Sequence, residues 1–150
     1  MAVKRSVVEQ AYYFEASPQT LFRCLTTRRE LVRWFLSDAK IKPEAGTDYR
    51  FAWHGGYSHA GVVRKVVKDK SLVLSWPDKI GGKVYETEVS FTLSKKGKGA
   101  MLKLRHTGFK EGKDWVWLFG AVQSGWAYYM TNLKSVLLQG KDLRSDFDNP

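Results

Sequence analysis

The chain has 150 residues, a formal net charge of +10 and one cysteine. Its length suits a single domain with a real core, and 43% hydrophobic with 14% aromatic residues excludes a disordered chain. The lone Cys24 excludes an internal disulfide or cysteine-rich zinc site, no window is long and apolar enough to span a membrane, and MAVKRSVVEQ lacks the apolar run of a signal peptide, so the expected location is cytoplasmic.

KRSVVEQAYYF (4–14) is rich in β-branched and aromatic residues and predicts a first strand. EASPQTLFRCL then starts a helix, with Ser17 as N-cap and Pro18 in the first turn, where proline is tolerated. Cys24 falls in the apolar stretch LFRCL and is expected to be a buried, inert thiol. A second short helix follows in RRELVRWF, with Leu31, Trp34 and Phe35 on one face.

The middle of the chain alternates with the period of strands. Tyr49, Phe51 and Trp53 share a face. Val63 and Val67 share one, with Val62 and Val66 opposite. Leu72, Leu74 and Trp76 fall together, and Pro77 is expected to close that strand. Tyr85, Thr87, Val89, Phe91 and Leu93 form one face of the next strand, with Glu86, Glu88, Ser90 and Thr92 on the other. In AMLKLRH, Leu102, Leu104 and His106 face one way, with Lys103 and Arg105 the other. Such alternation means antiparallel strands with one wet face. Gly55-Gly56, Gly81-Gly82 and Gly97-Lys98-Gly99 mark turns. Glu86 and Glu88 face water and are expected to pair with Lys103 or Arg105.

A long helix closes the chain, about 113 to 139. Trp115, Phe119, Val122, Trp126, Tyr129, Leu133 and Val136 form its apolar stripe. Gly125 is unfavourable inside a helix, and a close approach to the sheet is expected to explain it. Gly140 is the expected C-terminal cap. Residues 1–140 therefore read as one α+β domain, and 141–150 as a polar, frayed tail. The order implies a curved antiparallel sheet with the long helix across its concave face.

Four segments in this order resemble one family: EASPQTLFRCLTTRRELVRWF, GVVRKVVKDKSLVLSWP, LRHTGF and SGWAYYMTNLKSVLLQG. The chain resembles the activator-of-heat-shock-protein-90-ATPase homologue domain of the START-like (SRPBCC, birch-pollen-allergen-like) superfamily, over roughly residues 8 to 140. The resemblance implies a helix-grip fold. It also brings several functions into view: lipid and hormone binding, polyketide cyclisation and chaperone regulation. The family member that regulates the chaperone has an additional N-terminal domain with an Asn/Trp-rich motif. Residues 1–14 hold no such motif, so the resemblance is to that protein's C-terminal half.

His106 is the first candidate for chemistry, as a general base in a cyclase or hydrolase. It has no nucleophile motif beside it, and Glu111 and Asp114 fall in a loop, so a non-catalytic pocket position is expected. His54, His59 and His106 are the only histidines and lack a third ligand and second shell. No metal or cofactor is expected, and His54 and His59 read as exposed loop residues. The larger signal is the aromatic set facing the interior. The expected ligand-binding residues are Phe51, Trp53, Trp76, Phe91, Phe119, Trp126 and Tyr129, with Tyr85, Thr87 and His106 as polar anchors. Core packing and a cavity for a flat or greasy ligand explain this set equally well.

The expected function is non-catalytic binding of a small hydrophobic or aromatic molecule between sheet and helix. The alternatives are a chaperone-associated interaction module and an enzyme using His106. The positive charge favours anionic partners. Lys and Arg are dispersed, however, and the densest run, SKKGKG, reads as a hairpin tip, so nucleic acid is not expected as a partner. Exposed strand edges permit a homodimer.

Overall fold

The computed structural model describes residues 7–144. The elements follow the expected order: β1 (Val7–Phe14), α1 (Pro18–Thr26), α2 (Arg28–Trp34), β2 (Asp38–Lys40), β3 (Asp48–Ala52), β4 (Ser58–Val67), β5 (Ser71–Ile80), β6 (Lys83–Lys96), β7 (Gly99–Thr107) and α3 (Lys113–Gln139). Residues 4–6 of the expected first strand lie outside the described residues. The strands form one antiparallel sheet in the order β1-β7-β6-β5-β4-β3-β2. With α3 packed on its inner face, this is the α+β helix-grip architecture.

Alternation places the core. One row of partners crosses five strands as Val8, His106, Val89, Leu74 and Val63, all buried. The next inward row on β5, β6 and β7 joins Leu72, Phe91 and Leu104. Ser17 caps α1 by accepting from the Thr20 amide, and Thr27 caps α2 by accepting from the Glu30 amide. The Trp34 indole donates to the Cys24 carbonyl at 3.0 Å and ties the two helices together. Cys24 is buried, and burial pushes its thiol up to about 12, which leaves it inert. Gly140 takes the left-handed conformation, φ 67°, that ends α3.

Several expectations change. The three-residue β2 carries too little pattern to be read from sequence. In β4 the register shifts between Val63 and Lys65, which inserts one extra residue. That bulge puts Val63 and Val66, not Val63 and Val67, toward the core; Val67 is 41% exposed. Pro77 does not end β5, which runs on to Ile80 with Pro77 opposite Glu86. Glu88 pairs with Arg64 of β4, and Arg105 with Glu9 of β1. No close approach explains Gly125: a Cβ there would meet nothing within 4 Å. Of the expected tail, residues 141–144 are held in place rather than frayed, and residues 145–150 lie outside the described residues. Buried Arg144 donates to the carbonyls of Val32 and Leu36, and Asn132 donates to Asp142.

The stop in the β4–β5 ladder matters most for the site. Pairing runs from Val67/Ser71 to Val63/Leu74 and no further, although both strands continue. Side chains bridge the gap. The Val62 amide donates to Ser75 Oγ at 2.8 Å, and Tyr49 Oη donates to the Ser75 carbonyl at 2.5 Å. Pro77 presents its nitrogen on the same side as the Ser75 carbonyl, where β4 has left, so its missing N–H costs no ladder bond.

Gly61 sits where these groups converge. A Cβ there would lie 2.7 Å from Tyr49 Cε1 and 2.8 Å from both Ser75 Oγ and Tyr49 Oη. Gly61→Ala is therefore expected to lose about 1–3 kcal/mol, read as a lower urea midpoint at unchanged slope. An unchanged midpoint would show that the Tyr49–Ser75 bridge gives way freely.

Candidate functional site

His106 is positioned by β7 in the middle of the core and is fully buried. The Trp126 indole of α3 donates to its Nδ1 at 3.0 Å. Thr87 Oγ1 lies 2.7 Å from Nε2 and donates its own proton to the Trp76 carbonyl at 2.8 Å. The hydroxyl has one proton, so Nε2 must carry the hydrogen it shares with Thr87. Both ring nitrogens are therefore used within the fold. Burial, with a smaller contribution from nearby His59, holds the imidazole down at about 3, so it is neutral at pH 7. This histidine joins sheet to helix and has no atom left for chemistry.

The interior beside it is filled. The space bounded by Phe51, Leu74, Phe91 and Trp126 amounts to about 10 Å³, no more than one water needs. A much larger cavity, about 430 Å³, opens where β4 leaves β5. That volume lies in the range of small-molecule sites. Its sheet wall is Trp53, Tyr57, His59, Trp76 and Asp78, and its helix wall is Trp117, Leu118, Val122, Trp126 and Tyr129, with Phe35 after α2. Gly125 lines the helix wall, so its missing side chain leaves cavity space. The rings brace one another: His59 meets Trp76 edge-on with centroids 4.3 Å apart, and Phe35 meets Tyr129 at 4.8 Å. Trp117 is 65% exposed at the rim.

Two polar side chains stand out in this aromatic wall. His59 Nε2 lies 3.1 Å from Tyr49 Oη, whose single proton goes to the Ser75 carbonyl. By the same proton count, Nε2 donates and Nδ1 is a bare acceptor. That Nδ1 is buried without a partner. Burial lowers this imidazole to about 4. Asp78 accepts from Tyr57 Oη at 3.2 Å through Oδ1, while Oδ2 is buried without a partner. Burial raises its carboxyl to about 6, and Tyr57, raised to about 12, stays a protonated donor.

Of the ten residues singled out from sequence, Trp53, Trp76, Trp126 and Tyr129 line the cavity. Phe51 and Phe91 border the filled interior, and His106 and Thr87 are tied together in the core. Tyr85 donates to Asp114, which lies in the first turn of α3 rather than in a loop, and Phe119 packs on Phe109 away from the cavity. His54 is exposed in the turn after β3, but His59 is half-buried on β4 and part of the wall, which corrects its reading as an exposed loop residue. Sequence reasoning missed Tyr57, His59 and Asp78. His59 alternates with Gly61 and Val63, and Asp78 with Trp76, so continuing each strand would have found both. Among the described residues, no three His, Cys, Asp or Glu side chains gather as metal ligands, and no helix is long and apolar enough to cross a membrane.

A sheet gripping a long helix, with an aromatic cavity at one end, defines a START-like helix-grip domain. The family model for activator of Hsp90 ATPase homolog 1-like proteins matches residues 15–138, and the chain belongs to that family. Solved structures share the fold. Protein MLL2253 from Mesorhizobium loti is 24% identical with a TM-score of 0.79, over 91% of this chain and 99% of that one. The Aha1 dimer from Colwellia psychrerythraea is 23% identical with a TM-score of 0.77, over 90% and 98%. CalU16 from Micromonospora echinospora is 25% identical with a TM-score of 0.65, over 89% and 76%. No match was found among curated proteins.

The titrating groups predict a pH dependence. His59 and His106 have folded values below the ordinary 6.5, so the stability they contribute is complete above pH 6.5 and is lost as pH falls toward 4. Asp78 is raised from 3.8 to about 6, so its effect has the opposite sign and favours the folded state as pH falls through 6. Between pH 7 and pH 5 each histidine costs on the order of 2 kcal/mol and Asp78 returns on the order of 1. Urea midpoints should therefore be lower at pH 5 than at pH 7. Equal midpoints would mean that the imidazoles are solvated.

Proposed function

We propose that this domain binds a small, flat, largely apolar molecule in the cavity between β3–β5 and α3, and performs no chemistry on it. The observation that supports this reading is the cavity of about 430 Å³ walled by Phe35, Trp53, Trp76, Trp126 and Tyr129. The non-catalytic part rests on His106, whose two nitrogens are both committed to structural partners. The guest would enter past Trp117 at the rim.

A second reading is a chaperone-associated module, supported by the family's description and the formal charge of +10. It predicts capture of a heat-shock protein 90 chaperone at low salt and its loss at high salt. The dimeric Colwellia relative extends this reading to a homodimer.

Gly125 offers a direct test, because a side chain there meets nothing and projects from the cavity wall. Gly125→Ala is expected to stabilise α3 by up to about 1 kcal/mol. Gly125→Leu should keep the fold and weaken binding of the neutral dye N-phenyl-1-naphthylamine by roughly tenfold or more, read as lost fluorescence enhancement. Equal enhancement by the native protein and Gly125→Leu would place the dye elsewhere and count against the reading.

A further inference from the structure

His59 Nδ1 and Asp78 Oδ2 are the buried side-chain polar atoms without a partner among the described residues, and both belong to the wall of one cavity. A buried polar atom left unpaired is costly, and native structures hold few of them. Their coincidence at one site points to a guest or to water as the missing partner. Their chemistry says which atoms that partner must bring.

Both are acceptors. The Tyr49 hydroxyl gives its proton to the Ser75 carbonyl, so it accepts from His59 Nε2, and Nδ1 keeps its lone pair. Asp78 already receives the Tyr57 hydroxyl on Oδ1, and its free Oδ2 accepts in the carboxylate form. The unmet demand is therefore for hydrogen-bond donors. The rings packed against His59, those of Trp53, Tyr57 and Trp76, ask for a flat guest.

We propose that the cavity is selective for flat aromatic molecules that carry an N–H or O–H donor, with His59 Nδ1 or Asp78 Oδ2 accepting from that donor. This rests on the ligand-binding reading above and names the class of ligand. A ring of the same shape without a donor would bury the two acceptors without satisfying them. The site should discriminate against it, as sites built around hydrogen bonds reject analogues that lack them.

Indole and benzofuran form the probe pair, since they share size and shape and differ in the ring N–H. Titrations of the isotope-labelled protein followed by amide chemical shifts give both affinities. Indole is expected to bind about tenfold more tightly than benzofuran. The gap should close to about twofold in at least one of His59→Phe and Asp78→Leu, depending on which acceptor a single N–H reaches. Equal binding of the two probes to the native protein would overturn the selectivity and leave the cavity reading standing. Binding of neither would remove the cavity reading and the selectivity with it. A gap that persists unchanged in both variants would overturn the assignment of these two acceptors. The native-protein comparison holds even if a variant fails to fold.

Discussion

Between Val63 and Leu74 the backbone ladder joining β4 to β5 stops, while both strands run on. A sheet that loses its ladder must satisfy the freed groups some other way. Here Ser75 Oγ takes the Val62 amide, and the Tyr49 hydroxyl takes the Ser75 carbonyl. Pro77, which has no N–H to satisfy, occupies the next position on that side. Gly61 leaves room for the bridging side chains. The strands part, and the space between them and α3 becomes the cavity instead of more core.

The same geometry sets two histidines in parallel relays with different ends. His106 shares a proton with Thr87, which donates to the Trp76 carbonyl; His59 shares one with Tyr49, which donates to the adjacent Ser75 carbonyl. The far nitrogen of His106 meets the Trp126 indole and is closed off. The far nitrogen of His59 has no such cap. One histidine is therefore architecture, tying β7 through β6 to α3. The other presents an acceptor in an aromatic wall. The family's Leu-x-His-Thr-Gly-Phe resemblance marks the first, which is why a motif so visible in sequence points to the fold and not to the cavity.

The fold was legible because its signals are local and periodic. Alternation along β6 and β7, the Ser17-Pro18 start and the Gly140 stop are written in neighbouring residues. The cavity depends on non-local facts. The extra residue in β4 turns Val66 inward, and no composition rule announces it. Pro77 reads as a strand terminator unless the partner strand is known to have left. Reading it so cut Asp78 out of β5 and hid it from view. Aromatic counting found Trp53, Trp76, Trp126 and Tyr129 but could not separate wall from core. Whether Phe51 lines a cavity or fills one depends on how closely α3 approaches, and sequence spacing does not encode that distance.

Both histidines are neutral with the proton on Nε2, and of the two only His59 keeps an Nδ1 without a partner. Long-range proton–nitrogen NMR of the imidazole rings at pH 7 reports this directly. The expected result is an Nε2–H tautomer for both, and a shift of the His59 Nδ1 resonance when indole is added while His106 Nδ1 stays fixed. A His59 ring protonated on Nδ1, or a His106 ring that responds instead, would contradict it.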